Sequence, residues 1–374
     1  MKNIIVFLFA FLVISACTRK EEMSSSAMQG KIKYINDYQL EERLIKGVNV
    51  FPNMTFNYPY DLVIKDSLML ISDIKEYNGL LSVLNLKSGE LIGRYIKSGD
   101  GPEELISIAT IEISDAGHIF LHDKTGKQVG KLKFDQLLNG DISNLKSEGF
   151  KMQIYDEDYP LNLVSFTLLS DSTFVSIIRP FPKKRFLIHN QDLDSLRTFG
   201  QYPPTIDKEH NLSEAFINGA VKGVLFLAQM KYSITNEKLI VAYSKVDLIQ
   251  IYDLKNLETP PINITSKETE IPFPYNVTGT NIGVPCRGCP LGYDSPSLQD
   301  SVFYVRNINN KYGERNSFVS NEILKFDYEG NLLGKYVLDE KLYAITIDAS
   351  GKFLYGINIS TENPQILKYA INEN

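Results

Sequence analysis

The chain is poor in the residues that most often build metal and redox sites. Its 374 residues include no tryptophan, three cysteines and four histidines. Few soft metal ligands are therefore available, and we expect no cofactor. The formal net charge of -6 argues against general nucleic-acid binding, which needs a basic stripe or patch. With 43% hydrophobic and 22% charged residues, the chain has the composition of a globular protein with a large core.

The amino terminus carries an apolar run that is too short to cross a bilayer. Lys2 is followed by the apolar residues 4–13, which fit the central region of a signal peptide. The run ends in the sequence ISAC, which resembles the bacterial lipobox. That resemblance implies cleavage before Cys17 and acylation of Cys17; an ordinary signal peptide with an incidental cysteine is the alternative. We expect residues 1–16 to be a lipoprotein signal peptide.

Residues 17–30 are polar and rich in serine, which predicts a flexible, lipidated tether. Thr18 follows the cysteine, and by resemblance this favours the outer membrane over the inner one. The sequence KEE at 20–22 resembles a short signal that sends lipoproteins to the cell surface, although a solvated tether explains it equally well. We therefore expect a cell-envelope protein anchored in the outer membrane by lipid, in the periplasm or exposed at the surface.

Residues 61–105 contain a unit that explains the rest of the chain. Short apolar runs of strand length alternate with the turn sequences DS at 66–67, YNG at 77–79 and KSGE at 87–90. This pattern predicts four strands in an antiparallel meander. One such sheet exposes two edges and two partly apolar faces, so it needs copies of itself on either side.

The first hairpin turn of this unit recurs along the chain. The polar turns that we assign to it are 66–67, 115–117, 171–172, 236–237, 300–301 and 348–351. Their spacing is compatible with a blade of about 40 to 50 residues plus inserts. Six starts imply six blades.

The two ends of the chain predict how the ring closes. After the sequence QILKYAI at 365–371 the last unit is one strand short, whereas a spare strand lies around Lys31 to Asp37 or slightly later. Pairing that strand with the final blade removes two exposed edges. Residues 31–374 are thus predicted to form an all-β, six-bladed β-propeller of four-stranded antiparallel blades, closed by an N-terminal strand that joins the last blade.

Three features resemble the TolB-like six-bladed propeller lipoproteins of Gram-negative bacteria. They are the lipobox around Cys17, the GDGPEE segment at 99–104 and the FDYEGNL strand turn at 326–332. The likeness covers nearly the whole mature chain, but its motifs are structural. The resemblance therefore implies the fold and lends no catalytic residues.

The turn pattern divides the disc into two unequal faces. In a four-stranded meander the first and third turns lie on one face, and the middle turns and blade-to-blade links lie on the other. The long irregular segments 179–185, 202–223, 259–293 and 306–320 all fall on this second, long-loop face. Because binding usually lies in long loops on a rigid scaffold, we expect the partner there.

Basic and aromatic residues are frequent in those loops, although the protein is acidic. The ligand-binding candidates are Arg179, Lys183, Lys184, Arg185, Arg287, Tyr293, Arg306, Tyr312 and Arg315. Arginine suits carboxylates and phosphates, so the pattern favours an anionic or carbohydrate partner. Charged hairpin tips that serve only solubility are the alternative.

Cys286 and Cys289 form a C-x-x-C motif followed by proline. In an oxidising compartment a local disulfide that stiffens the 259–293 loop is the favoured interpretation, and a redox site is the alternative. We expect no metal site here.

Two interpretations of function remain. The leading one is a non-catalytic, monomeric propeller that binds a protein or glycan partner through the long-loop face. The rival is a divalent-metal-dependent hydrolase of the lactonase or phytase type, with carboxylates in the central channel. Asp73, Asp123 and Asp247 are its candidates by position, and His118 and His122 share one side of a strand.

Overall fold

The computed structural model describes residues 28–155, 160–179, 184–193, 197–203, 205–206, 222–266, 271–272, 276–278, 281–283 and 287–371. The predicted signal peptide, Cys17, most of the tether, Lys183 and Cys286 lie outside the described residues. Within the described part the protein is almost entirely β-structure. Its helices are short: a 3-10 turn at Ile35–Asp37 and two α-helices at Phe134–Leu138 and Lys222–Leu225. None of the described helices has the length and apolar character of a membrane span.

Six sheets follow one another along the chain and are numbered here as blades 1 to 6. The N-terminal strands that precede them are β1 Ile32–Tyr34, β2 Glu42–Ile45 and β3 Gly47–Asn49. Blade 1 contains β4 Pro59–Lys65, β5 Leu68–Asp73, β6 Leu81–Asn85 and β7 Leu91–Tyr95. The short parallel pair β8 Lys97–Ser98 and β9 Glu104–Leu105 follows. Blade 2 contains β10 Thr110–Ile113, β11 His118–Asp123, β12 Gln128–Lys133 and β13 Phe150–Lys151.

Blade 3 has an additional strand. β14 Gln153–Tyr155 pairs with the first strand of its meander, which consists of β15 Pro160–Leu168, β16 Thr173–Arg179, β17 Phe186–Asn190 and β18 Arg197–Phe199. Blade 4 contains β20 Ala228–Ser233, β21 Lys238–Tyr243, β22 Leu248–Asp253 and β23 Ile262–Thr265. Short strands flank this blade: β19 Thr205–Ile206 pairs with β24 Ile271–Pro272, and β25 Asn276–Thr278 pairs with β26 Asn281–Gly283.

Blades 5 and 6 complete the ring. Blade 5 contains β27 Tyr293–Leu298, β28 Val302–Asn307, β29 Ser320–Asp327 and β30 Leu332–Leu342. Blade 6 contains β31 Ala344–Ile347, β32 Phe353–Asn358 and β33 Gln365–Ala370, and β3 is its fourth strand. The fold prediction is confirmed, including the position of all six first turns. Asp66 begins the tightest of these turns with a φ of 55°, a conformation that aspartate tolerates better than most residues.

The N-terminal segment does more than close the last blade. β3 pairs antiparallel with β33 and supplies the predicted closing strand. Earlier in the segment, β1 pairs in parallel with β23 of blade 4, and β2 pairs in parallel with β30 of blade 5. Residues 32–34 therefore close blade 4, and the closing strand lies ten residues or so later in the chain than the first position considered. The segment covers the outer edges of three consecutive blades.

The hydrophobic core is divided among the spaces between neighbouring blades. Phe120 of blade 2 packs against Phe174 of blade 3, with ring centroids 5.4 Å apart. Ile240 of blade 4 belongs to the same apolar cluster as Phe303 and Phe326 of blade 5. Because each blade buries its apolar faces against its neighbours, no blade has a complete core alone.

Side chains of the innermost strands also connect the blades. Asp61 of β4 accepts a hydrogen bond from the Ile111 amide of β10, at 2.8 Å. In the same way Gln229 accepts from the Ser295 amide at 2.6 Å, and the Ser297 hydroxyl accepts from the Ile347 amide at 2.9 Å. These bonds run around the central channel from one blade to the next.

Candidate functional site

Two long loops of the second face are joined into one unit, which we call the blade 5 loop pair. It consists of residues 287–291, which precede blade 5, and residues 308–319, the middle turn of that blade. The Gly288 amide donates to the Tyr312 carbonyl at 2.8 Å, and the Tyr312 amide donates to the Cys289 carbonyl at 2.8 Å. Cys289 is disulfide-bonded. The two loops are therefore held together by backbone hydrogen bonds, and the disulfide at Cys289 constrains the first loop alone, because residues 308–319 contain no cysteine.

Three cations of the loop pair are exposed to solvent. They are Arg287, Lys311 and Arg315, with Glu314 as the exposed acid beside them. Gly313 has a φ of 84°, and a Cβ at this position would lie 2.9 Å from Cγ of Arg287. The glycine thus leaves room for the Arg287 side chain to cross the second loop. Tyr312 packs edge-on against Phe318. The structure brings together Arg287, Tyr312 and Arg315 of the predicted set.

Arg306 lies underneath the loop pair and is fully buried at the end of β28. Its Nη1 donates to the carbonyls of Phe318 and Leu342, each at 2.7 Å, and its Nη2 pairs with the Asp294 carboxylate. Burial raises the pKa of Asp294, and the Arg306 charge opposes that rise. Arg306 therefore fixes the 308–319 loop from below, and its guanidinium does not face solvent as expected of a loop residue.

Tyr293 is also buried, at the start of β27. Its hydroxyl donates to the Asp247 carboxylate at 2.5 Å. Burial, together with the charge of Asp247, raises the pKa of Tyr293 well above its ordinary value. The same carboxylate accepts from the Ser266 amide at 2.9 Å. Tyr293 and Asp247 thus connect blade 5 to the loop that leaves blade 4.

Arg185 is the second fully buried arginine of the described chain. It precedes β17, and its guanidinium carbon lies 4.4 Å from the ring centroid of Tyr243 and 4.9 Å from that of Phe186. The rings of Tyr202 and Phe226 complete an aromatic cage at 5.5 and 5.9 Å. Nη2 donates to the Phe226 carbonyl. Arg179 ends β16 on the strand before it.

A cleft of about 400 Å³ lies beside this cage, between blades 3 and 4. Its lining is mostly polar, with two tyrosines, and consists of Met28, Gln29, Lys184, Gly200, Gln201, Tyr202, Pro203, Lys222, Gln250, Tyr252, Leu257, Glu258, Thr259, Pro260 and Pro261. Gln250 accepts hydrogen bonds from the hydroxyls of Tyr243, at 2.5 Å, and Tyr252, at 3.0 Å. Among the sequence candidates whose side chains the structure describes, Lys184 is the one that lines this cleft.

The central channel contains a half-buried ionic cluster that sequence reasoning missed. Lys231 of blade 4 and Glu112 of blade 2 form an ion pair, with Nζ 2.9 Å from Oε1. Burial raises the pKa of Glu112, and Lys231 opposes that rise. For Lys231, burial alone would lower the pKa, but Glu112 and Asp61 together raise it. Glu112 and Lys231 are more than 100 positions apart, and nothing in the local sequence pairs them.

The carboxylates considered for a metal hydrolase have other partners. Asp73 accepts from the amides of Asn57, at 2.6 Å, and Tyr58, at 2.8 Å. Asp123 accepts from the amides of Ile106 and Gly126, each at 2.8 Å. These aspartates therefore cap loops of their own blades. Among the residues that the structure describes, no group of three or more histidines, cysteines or carboxylates is placed to hold a metal ion.

His118 and His122 occupy the same side of β11 but have different surroundings. His118 Nδ1 lies 3.4 Å from the Asp171 carboxylate. His122 is buried and packs edge-on against Phe166, with ring centroids 5.7 Å apart. Burial lowers the pKa of His122 to about 4. The two imidazoles thus contact different partners: His118 lies beside Asp171, and His122 packs against Phe166.

Comparison with known families agrees with this architecture. The family model described as TolB-like 6-blade propeller-like matches residues 39–350. This chain belongs to the TolB-like six-bladed propeller family. No curated protein matches it significantly.

Two solved structures share the fold of this TolB-like protein. One is a member of the duf4221 family from Bacteroides vulgatus, with a TM-score of 0.58 and 10% identity; the match covers 90% of this chain and 99% of that one. The other, from Bacteroides fragilis, is named as an exported protein, with a TM-score of 0.53 and 12% identity over 92% of this chain and 99% of that one. At such identities the similarity extends to the fold alone.

Proposed function

We propose that this protein is a non-catalytic cell-envelope lipoprotein whose propeller binds a protein or glycan partner through its long-loop face, without a cofactor. The observation that carries the proposal is the blade 5 loop pair: two loops joined by backbone hydrogen bonds, with three exposed cations, on the long-loop side of a rigid scaffold. A surface that is ordered before binding loses less conformational entropy when it meets its partner. Binding loops on rigid scaffolds are a common solution for recognition.

The charge of the loop pair specifies what the partner must present. Arg287, Lys311 and Arg315 oppose one acid, Glu314, so the loop pair is cationic within an acidic protein. Arginine forks bind carboxylate, phosphate and sulfate groups by two parallel hydrogen bonds. The partner is therefore an envelope protein with an acidic surface, or a glycan with acidic substituents.

The location in the envelope is supported by the amino-terminal sequence. The apolar run 4–13 and the lipobox that ends at Cys17 are the sequence signals for export and lipid attachment. The Bacteroides fragilis relative of the same fold is also named as an exported protein. We propose attachment to the outer membrane through the lipid on Cys17.

The binding proposal is tested by charge reversal on the full-length protein, immobilised in mild detergent and exposed to an envelope extract. We expect the Arg287→Glu and Arg315→Glu double variant to recover at least ten-fold less of its specific partner than the wild type. Lys87→Glu with Lys352→Glu is the matched control, because both lysines are exposed in first or third turns on the opposite face. Equal recovery by the loop variant and this control would contradict the assignment.

The anchor is tested separately by metabolic labelling with a palmitate analogue. Wild type and a Cys286→Ser variant are expected to take up the label, and a Cys17→Ser variant is expected to lose it. Label retained after Cys17→Ser would show that the lipid, if present, is attached elsewhere.

A further inference from the structure

Arg185 is a buried cation for which the described chain supplies no counter-charge. Its guanidinium donates through Nη2 to the Phe226 carbonyl, whereas Nε and Nη1 have no acceptor. The groups that act electrostatically on it are the hydroxyls of Tyr202 and Tyr252 rather than a carboxylate. The Nε–H group and both N–H groups of Nη1 therefore have no acceptor among the described residues.

The aromatic cage offsets only part of the cost of this arrangement. Cation–π contact with four rings stabilises the charge, but an ion that is buried without a partner loses more hydration energy than these contacts restore. Burial lowers the pKa of Arg185 to about 10, so the guanidinium remains charged at neutral pH. A carboxylate that accepted hydrogen bonds from Nη1 or from Nε would recover part of this loss, because such hydrogen bonds are charge-assisted.

The cleft between blades 3 and 4 is the route by which such a group reaches Arg185. Tyr202 and Tyr252 belong to the wall of the cleft and also lie close to the guanidinium. Lys184, the preceding residue, lines the cleft as well. Since Arg185 itself is fully covered, a ligand in the cleft meets the Tyr202 ring first, and that ring has to turn aside.

The dimensions and chemistry of the cleft specify the body of the ligand. A volume of about 400 Å³ holds a molecule of monosaccharide size. Gln201 and Thr259 offer an amide and a hydroxyl group, which suit a polyhydroxylated ring. The tyrosine rings offer flat apolar surfaces for its C–H groups.

We propose that this cleft binds a sugar acid, a saccharide that carries a carboxylate, and that the carboxylate pairs with Arg185 while the hydroxyls contact the amides of the cleft. The site lies between blades 3 and 4 and shares no residue with the blade 5 loop pair. It therefore goes beyond the proposed partner surface, and either assignment can fail without the other.

Isothermal titration calorimetry on the full-length protein in mild detergent tests the proposal, with glucuronate as the probe. We expect glucuronate to bind at least ten-fold more tightly than glucose, which lacks the carboxylate, and than acetate, which lacks the ring. Equal binding of glucuronate and glucose, equal binding of glucuronate and acetate, or no binding of glucuronate would each overturn it. These three comparisons need no variant.

Two substitutions then locate the carboxylate. Arg185→Lys keeps the charge but loses the planar fork, so we expect at least a ten-fold loss of glucuronate affinity. Arg197→Lys is the matched control, because Arg197 is an exposed arginine of β18 that neither lines the cleft nor belongs to the loop pair, and it should bind glucuronate as the wild type does. If Arg185→Lys does not fold, Lys184→Met at the wall of the cleft replaces it, with an expected loss of a few-fold. Wild-type affinity in a folded Arg185→Lys or Lys184→Met variant would contradict the site.

Discussion

The two buried arginines, Arg306 and Arg185, differ in the groups that surround their guanidinium. Arg306 has a carboxylate, Asp294, and two carbonyls around its guanidinium, and only its Nε lacks an acceptor. Arg185 has one carbonyl and four aromatic rings, and both its Nε and its Nη1 lack an acceptor. Both are fully buried. Of the two, Arg306 is the one whose charge is neutralised by a carboxylate of the described residues.

This difference separates a structural arginine from a candidate binding arginine. A buried cation with its own acid and carbonyls stabilises the loops that it contacts, and a ligand has nothing to add there. A buried cation without an acid has an uncompensated desolvation free energy, and an external anion that pairs with it can offset this free energy. The surroundings of the guanidinium, rather than its position in a loop or strand, decide between these roles.

The largest effect is expected where the neutralised pair is broken. Asp294→Asn leaves Arg306 buried without an acid, and we expect the free energy of unfolding to fall by about 3–5 kcal/mol. Urea denaturation of the wild type and the variant measures this change in the free energy of unfolding. Asp100→Asn, at an exposed acid, is the control and should change stability by about 0.5 kcal/mol at most. A loss as small as the control's would show that Arg306 does not depend on Asp294.

A smaller effect is expected from His122, which is buried like Arg185 but can lose its proton. Its folded pKa of about 4 lies below the ordinary value of 6.5, so the unfolded chain takes up the proton first as the pH falls. The stability that neutral His122 provides is complete above 6.5 and is lost towards 4. Between pH 7 and pH 5 this costs about 2 kcal/mol.

Replacement by glutamine makes that pH dependence measurable. In a His122→Gln variant this contribution is absent, so the stability difference between wild type and variant should change by about 2 kcal/mol between the two pH values. Urea denaturation of both proteins at pH 7 and at pH 5 measures this stability difference. A difference that does not change with pH would mean that His122 titrates normally in the fold.

The smallest effect is expected for the ion pair in the channel. Glu112 and Lys231 pair across the axis, but the Lys231 side chain is 30% exposed, so solvent screens the attraction. A double-mutant cycle with Glu112→Gln and Lys231→Met is expected to give a coupling energy of about 1 kcal/mol. A coupling energy near zero would mean that the pair contributes nothing measurable to stability, as is common for exposed ion pairs.

The fold was predictable because it rests on local signals. Each first turn, such as Asp66-Ser67, is a short polar segment between two apolar strands, and a count of these turns gave the number of blades. The additional pairing of β1 and β2 was not predictable. Both strands are parallel partners of blade edges, and parallel pairing between distant segments has no turn to reveal it.

The site was less predictable because burial and counter-charges arise from distant contacts. Asp294 faces Arg306 through the register of β27 and β28, which an irregularity in the pairing shifts. A hairpin alignment around residues 299–301 could have suggested this pair. No comparable signal exists for Arg185, whose cage combines residues of blades 3 and 4. The sequence showed where cations are frequent, but not which of them are neutralised.

The most direct measurement compares Arg185→Met with Arg306→Met by urea denaturation of the full-length protein at neutral pH, without added ligand. Arg306→Met leaves the buried Asp294 carboxylate and two carbonyls without their hydrogen-bond donor, so we predict that the free energy of unfolding falls by about 3–5 kcal/mol. Arg185→Met removes an uncompensated charge and one hydrogen bond, so we predict a loss of about 1 kcal/mol or less. Equal losses, or a larger loss for Arg185→Met, would contradict the distinction between the two arginines.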